Sequence, residues 1–255
     1  MNKVYRNISN YADVINTIAN WKIIDIKSLH QFLSFEISYY TLKRKICDLE
    51  KSGMVKSFFT TKRNKYVFLT DKGIQFSSTD KTFEPCDVEQ THDLLVVKLV
   101  QEMLGFSKVT DGKLYHQVND NYINPDAVVK ILSDDTEYTI AIELELTQKS
   151  QKRVKDKYAK YGNSYQYDYC LYISNKPKLI KTYQTYLEQM EEKTQSKFFF
   201  ISKCDLSNAE TNLLVAKCFH KGRELDLKVL FGVKGEATMS ATIRNHTFAH
   251  RIIPD

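Results

Sequence analysis

The chain has 255 residues, of which 42% are apolar and 27% are charged, with 8 glycines and 4 prolines. These proportions are typical of a globular protein, and the length predicts two domains or one large one. No apolar run approaches the roughly 18 residues of a membrane span, so a membrane-spanning protein is not expected.

The cysteines and the amino-terminal residues predict a cytoplasmic protein. The five cysteines lie far apart, form no CxxC pair and are odd in number, which favours reduced thiols and no zinc site. Residues 1–20 are polar throughout and lack the apolar core of a signal peptide.

The positive charge is concentrated in the first third of the chain. Residues 1–80 hold 13 Lys and Arg against 7 Asp and Glu, whereas the remaining residues balance at 24 against 24. A basic module joined to a neutral one predicts an acidic polymer as partner. A solubilising surface charge is the alternative interpretation.

The first third predicts three helices and a hairpin. Helices are expected over 11–21, over 25–33 and within 37–53, the last capped by Ser38 and ended by Gly53 in the left-handed conformation. Strands are expected over 54–59 and 66–69, joined by a basic turn, and a short helix begins at Thr70.

This order, with the phrases LxxLEKSGMVK and KYVFLTDKG, resembles a winged helix-turn-helix. The resemblance implies that the third helix enters the major groove and the hairpin turn touches phosphates. The residues implied at the DNA are Tyr39, Tyr40, Lys43 and Arg44 on the helix and Lys62, Arg63 and Lys65 on the hairpin. A winged helix used only for protein contacts is the alternative.

After a charged linker over 81–86, the chain predicts an α/β domain with a mixed sheet. The expected elements are a helix over 87–104, strands over 113–117, 127–132 and 138–146, a basic helix over 148–165, a strand over 169–174, a helix over 178–192, a strand over 197–202 and further strands over 222–255. His92 and Asp93 are interpreted as the polar face of the first of these helices, with a contact to a metal as the alternative.

Three carboxylates mark the hairpin of this domain. Asp126 precedes its first strand, and Glu143 and Glu145 point to one face of its second strand because they are two residues apart. A hairpin of this length returns both glutamates beside Asp126. Gathered carboxylates repel each other unless a cation such as Mg²⁺ neutralises them. The alternatives are an ordinary Pro-Asp turn and a solvated edge-strand face.

A helix, then PD, then ExE on the next strand, then a basic helix is similar to the PD-(D/E)XK nuclease superfamily. Together with the amino-terminal module, THDLLV and the K-RxxxKYxxY helix, it resembles the replication-relaxation family of plasmids and other mobile elements. The resemblance implies an α+β or α/β protein with a winged helix-turn-helix over 1–80, a linker over 81–86 and a nuclease-like domain over 87–255.

Carried over by motif, the resemblance makes Asp126 and Glu143 the ligands of Mg²⁺ or Mn²⁺. The lysine that the superfamily usually has two residues after the glutamate is here Glu145, which would orient or deprotonate the attacking water. Lys149 is a candidate for the missing cation. Phosphate contacts are predicted for the basic helix through Lys152, Arg153 and Lys157.

The leading hypothesis is a divalent-metal-dependent endonuclease or nickase acting on double-stranded DNA. The alternative is a non-catalytic replication or transcription regulator, whose degenerate nuclease-like domain serves dimerisation or partner binding. A pure interaction module is a third hypothesis. A homodimer fits a regulator that reads a palindrome, and it also fits a nuclease.

Overall fold

The computed structural model of the protein describes residues 3–60, 63–78, 87–115, 123–202, 206 and 211–233. The chain divides between Glu84 and Pro85 into two compact units, and the second unit ends at Gly235. In the described part of the chain, no helix combines the length and apolar character that crossing a membrane requires.

The helices and strands are numbered in chain order. The helices are α1 (Lys3–Trp21), α2 (Ile26–Phe32), α3 (Tyr39–Lys51), α4 (Asp71–Ile74), α5 (Asp87–Met103), α6 (Gln151–Asn163), α7 (Pro177–Leu187), α8 (Glu192–Gln195) and α9 (Leu227–Phe231). The strands are β1 (Ile23–Asp25), β2 (Val55–Phe59), β3 (Lys65–Leu69), β4 (Val109–Leu114), β5 (Ala127–Ser133), β6 (Thr136–Leu144), β7 (Tyr169–Ile173), β8 (Phe198–Ser202), β9 (Lys217–His220) and β10 (Arg223–Leu225).

The first unit is built from α1 to α4 and a three-stranded antiparallel sheet in the order β1-β3-β2. Apolar residues of α1, α2 and α3 recur at helical spacing and are buried in its core, among them Val14, Ile18, Leu29, Leu42 and Ile46. The helices expected from the sequence are present, although α1 begins eight residues earlier than predicted. Strand β1 was not predicted, because three residues between two helices give no readable alternation.

Local capping fixes the ends of α3 as the sequence predicts. The Ser38 hydroxyl accepts from the backbone N–H of Thr41 at the start of the helix. Gly53 follows its end with a φ of 74°, a conformation in which a residue with a Cβ would be strained. The helix therefore has a defined length and presents a defined outer face.

The second unit contains a seven-stranded mixed sheet in the order β10-β9-β8-β7-β6-β5-β4. Its centre, β6-β7-β8, is parallel, and both flanks are antiparallel. Helix α6 connects β6 to β7 and α7 leads towards β8, which is the crossover that parallel neighbours need. The prediction of a mixed sheet is confirmed.

The β5–β6 hairpin has the register on which the site depends. Asp134 and Asp135 form its two-residue turn with positive φ values of 50° and 61°, a backbone that suits the twist of the strands. Ala127 pairs with Ile142, and the backbone N–H of Asp126 donates to the Ile142 carbonyl at 3.0 Å. Continued by one position, this register places Asp126 opposite Glu143.

Helices α6 and α7 pack on one face of this sheet. Their buried side chains Val154, Tyr158, Tyr161, Leu179, Ile180 and Tyr183 form one core with Val128, Ala141, Cys170, Tyr172, Phe198 and Phe200 of the strands. Because side chains alternate along a strand, Asp126, Glu143 and Glu145 belong to this same face. The carboxylates thus lie beside α6.

Two expectations for the second unit are corrected. Strand β4 begins at Val109, before the predicted 113–117, and residues 116–122 lie outside the described part. After Gly222 there is one short strand, β10, followed by α9, where further strands were expected. Residues 234–255, with His246 and His250, are outside the described part.

Cys47, Cys170 and Cys218 are free thiols, and Cys86 and Cys204 lie outside the described part.

Candidate carboxylate and lysine site

The predicted carboxylates come together at the carboxyl end of β6. Asp126 is partly exposed and its Oδ2 accepts from the Leu144 backbone N–H at 2.7 Å, which fixes it across the β5–β6 pair. Glu143 is 1% exposed and Glu145 is 7% exposed. Carboxyl ends of parallel strands are where open α/β sheets commonly place their ligands.

Helix α6 supplies two donors to Glu143. Lys157 Nζ donates to Oε2 of Glu143, and the Tyr161 hydroxyl donates to Oε1. The two donors are one helical turn apart, so a single face of α6 reaches the carboxylate. Both oxygens of Glu143 are therefore occupied by hydrogen bonds.

This pairing offsets the cost of burying Glu143 only in part. Burial raises the pKa of Glu143 and the Asp126 charge raises it further, while Lys157 and the Tyr161 hydroxyl lower it, and the result is about 7. Burial lowers the pKa of Lys157, but its carboxylate neighbours, Glu143 first among them, raise it above its usual value. Lys157 is therefore a cation among three acidic side chains.

His92, on α5, is a second cation at the same place. Its Nε2 lies 3.5 Å from Oδ2 of Asp126 and 3.1 Å from the Leu144 carbonyl oxygen, and its Nδ1 lies 3.8 Å from Asp93. Burial lowers the pKa of His92, but the bonds and charges of Asp126 and Asp93 raise it to about 10. His92 is therefore more than the polar face of α5 that the sequence suggests, because its ring lies against Asp126 and the Leu144 carbonyl at the end of β6.

Glu145 and Lys149 lie beside this cluster. The Glu145 backbone N–H donates to the Ile173 carbonyl of β7 at 2.9 Å, which holds the residue in place after the strand has ended. Burial raises the pKa of Glu145, and Lys157 and Lys149 lower it to a lesser extent. Lys149 Nζ donates to the Thr147 hydroxyl at 3.3 Å, and it acts on Glu145 through its charge.

Asp126, Glu143 and Glu145 offer carboxylate oxygens, which are the ligands that a hard divalent ion prefers. Their arrangement is not that of a closed metal site. Across the described residues, no group of three or more His, Cys, Asp and Glu side chains is placed to hold a metal ion. Lys157 and His92 supply the neutralising charge in this structure.

The predicted groove-facing residues of the first unit share the outer face of α3. Tyr40 is 72% exposed and Tyr39 is 42% exposed, and Lys43 lies over the Tyr39 ring at 4.8 Å. Lys43 and Arg44 are exposed and line a shallow depression with Tyr40. The face is cationic, aromatic and open to solvent.

The three hairpin residues predicted to contact DNA differ in their surroundings. Arg63 is exposed in the turn between β2 and β3, and Lys62 lies outside the described residues. Lys65 Nζ donates to Glu50 Oε2 at 2.8 Å, so it ties the hairpin to α3. In the second unit Lys152 and Arg153 are exposed on α6, whereas Lys157 turns inwards and pairs with Glu143.

Sequence reasoning missed the inward role of Lys157 and Tyr161, although a signal was present. Val154, Lys157, Tyr158 and Tyr161 are at positions i, i+3, i+4 and i+7, which is the buried stripe of a helix. A lysine inside such a stripe needs a buried acid as partner. For His92 there was no comparable signal, because its contact depends on how α5 meets the end of β6.

Comparison with known proteins gives little similarity. No family model matches the chain, and no curated protein matches it. Among solved structures, the restriction endonuclease FokI is similar at 11% identity and a TM-score of 0.27, over 71% of this chain and 39% of that one. The chain therefore spans about two fifths of that protein, and the replication-relaxation resemblance stays a prediction from the motifs.

Proposed function

We propose that this protein is a DNA-binding phosphodiesterase whose cutting site is the cluster of Asp126, Glu143, Glu145 and Lys157. One observation carries the proposal. Asp126 lies opposite Glu143 across the β5–β6 hairpin, and Lys157 of α6 donates to Glu143. The superfamily that the motifs resemble combines two acids with a lysine, and the lysine is missing from its usual position at Glu145. Lys157 supplies that cation from α6.

The side chains have separable roles in this proposal. Lys157 binds a non-bridging oxygen of the scissile phosphate and stabilises the charge that develops there. Tyr161 holds Glu143 in position, and His92 does the same for Asp126. Glu145, with its raised pKa, accepts a proton from the attacking water more readily than an ordinary glutamate would.

A divalent ion is part of the proposal. Asp126 and Glu143 are the side chains that would hold Mg²⁺ or Mn²⁺, and the ion would polarise the phosphodiester and acidify a bound water. Glu143 could bind the ion because each carboxylate oxygen has two lone pairs, and the hydrogen bonds from Lys157 and Tyr161 use one on each.

We further propose that the first unit is a winged helix-turn-helix that binds double-stranded DNA. Three helices with a β2–β3 hairpin, and a cationic, aromatic outer face on α3, support it. Tyr40, Lys43 and Arg44 would lie at the major groove, and Lys62 and Arg63 would contact phosphates. Lys65 contributes by holding the hairpin to Glu50.

One observation favours a second candidate, a non-catalytic DNA-binding regulator. Lys157 and His92 already offset much of the carboxylate charge, which a degenerate site without metal would require. In that case the second unit would serve dimerisation or partner binding. Mobile-element replication is the setting that the motifs imply for either candidate.

Incubation of supercoiled plasmid with the protein in Mg²⁺ or Mn²⁺ tests the proposal. Wild type should nick or linearise the plasmid, and EDTA, Asp126→Ala and Glu143→Gln should each abolish this. Glu188→Gln is the matched control, because Glu188 is exposed on α7's carboxyl end. A plasmid that all proteins shift on a gel and none cuts would favour the regulator.

A further inference from the structure

One segment of the second unit is strongly basic, although residues 81–255 as a whole carry equal numbers of cationic and acidic side chains. Residues 147–187 hold 9 Lys and Arg against Asp156 and Asp168, whereas the rest of 81–255 holds 15 against 22. This segment contains α6, β7 and α7, and β7 is the direct neighbour of β6 in the sheet. The balanced total therefore hides a separation of charge, and the positive part adjoins the strand that carries Glu143.

Lys176 brings one of these cations close to the carboxylates. It lies between β7 and α7, and its Nζ donates to the Leu146 carbonyl at 2.6 Å, one residue past Glu145. The bond from the Glu145 N–H to the Ile173 carbonyl joins the ends of β6 and β7 at the same place. Lys176 is exposed, and its ammonium group has three donors, of which the Leu146 carbonyl takes one. A charged donor that solvent can reach therefore lies beside the proposed cutting site.

Lys178 and Lys149 extend this positive region. Lys178 is exposed in the first turn of α7. Lys149 lies in the loop between β6 and α6, and its backbone N–H donates to the Tyr183 hydroxyl of α7 at 3.1 Å, which holds the loop against that helix. The side chains of Lys149, Lys176 and Lys178 thus form a lysine edge along the carboxyl ends of β6 and β7.

Among the described residues, the lysine edge has no acid within ion-pair distance, because the ion pairs of the second unit use other cations. Helix α7 itself contains no Asp or Glu. An isolated anion would neutralise one of the three charges. A nucleic-acid backbone carries one negative charge per phosphate at a regular spacing, and its binding to several lysines releases counterions. Charge complementarity therefore favours a DNA strand as the partner of the lysine edge.

We propose that the lysine edge binds the DNA backbone next to the scissile phosphate. The strand then runs from Glu145 across the carboxyl end of β7 to the start of α7. The proposal rests on the proposed nuclease function for the position of the scissile phosphate. It adds that the second unit holds DNA by itself, independently of the outer face of α3.

The test measures DNA binding in EDTA, so that cleavage does not enter. Every protein is the full chain with Lys43→Ala and Arg44→Ala, which removes two cations from the outer face of α3. A short fluorescein-labelled duplex is titrated at several salt concentrations. Anisotropy then gives the slope of log affinity against log salt, which reports the number of phosphate contacts.

Three proteins are compared in this background. The first replaces the three lysines of the lysine edge with alanine, and the second replaces them with arginine, which keeps the charge. The matched control has the same net charge as the first, because alanine replaces three other exposed lysines of the second unit, Lys160, Lys193 and Lys228.

The alanine variant of the lysine edge should lose about 1 from the salt slope for each phosphate contact, hence up to about 3. The arginine variant and the control should keep the slope of the background protein. Equal slopes in the alanine variant and the control would overturn the lysine edge as a DNA site. Displacement of the duplex by poly-glutamate as effectively as by unlabelled duplex would overturn it too, in favour of an acidic protein partner.

Plasmid cutting is scored separately, with α3 unaltered. A lost slope in the alanine variant without cutting by wild type would keep the lysine edge and reject the nuclease. Cutting by wild type with an unchanged slope in the alanine variant would reject the lysine edge alone.

Discussion

The ammonium group of Lys157 and the carboxylate of Glu143 form an ion pair in which the side chain of the acid is 2% exposed and that of the lysine 32% exposed. Lys157, on α6, thus provides the positive charge that is missing at Glu145, where the superfamily usually has a lysine. The pair is open to solvent on the lysine side, which is the side from which a phosphate could approach.

Removing the lysine should destabilise the protein. Lys157→Met leaves Glu143 buried without its cation, and we expect a loss of about 1–3 kcal/mol of unfolding free energy at pH 8, below the ~3–5 of a fully buried pair because Lys157 is partly exposed. At pH 5 the loss should shrink, since Glu143 is then protonated. Urea unfolding measures it, with Lys160→Met on the exposed side of α6 as control. Equal losses in both variants would contradict the pairing.

Glu143 should make stability depend on pH. Its pKa is about 7 in the folded protein against an ordinary 4.5, so the folded state holds the proton more tightly. The unfolding free energy should therefore be highest below pH 4.5, fall by about 3 kcal/mol as the pH rises through 7, and then level off. Glu143→Gln should lack this fall, whereas exposed Glu188→Gln should retain it. The same slope in both variants would refute the assignment.

His92 should remain an imidazolium well above neutral pH. Its folded pKa of about 10 exceeds the ordinary 6.5, so its contribution to stability is complete below 6.5 and is lost as the pH rises through 10. NMR titration of the ring should give a midpoint near 10, and Asp126→Asn should lower it. A midpoint near 6.5 in wild type would show that His92 and Asp126 do not interact in solution.

The outer face of α3 should govern DNA affinity. Replacing Lys43 and Arg44 with alanine removes two proposed phosphate or base contacts, so binding should weaken and the slope of log affinity against log salt should fall by about 1 for each phosphate contact. Lys181→Ala changes one charge in the second unit and serves as control. Fluorescence anisotropy with a duplex measures both quantities. An unchanged salt slope would argue for the protein-contact alternative.

The sequence was sufficient for the elements with strong local signals. Ser38 and Gly53 define α3 by capping alone, and the turn at Asp134 and Asp135 sets the hairpin register that brings Asp126 to Glu143. These features depend on residues close together in the chain, and the conformational preferences of such residues can be recognised without knowledge of the rest of the fold.

The sequence was insufficient where contacts join distant segments. Lys157 looked like one more cation of a solvated basic helix. Its spacing from Val154 and Tyr161 marks an inward-facing position, but its partner Glu143 lies on a distant strand that meets α6 only in the folded chain. His92 lies 34 residues before Asp126, and nothing local links them.

A transfer of the lysine tests the central claim most directly. Plasmid nicking in Mg²⁺ or Mn²⁺ is compared for wild type, Lys157→Met and the double variant Lys157→Met with Glu145→Lys, which restores a lysine at the superfamily's usual position. The account predicts nicking by wild type, its loss in the single variant and a partial return in the double variant. Nicking by Lys157→Met at the wild-type rate would contradict the assignment of Lys157 as the phosphate-binding cation.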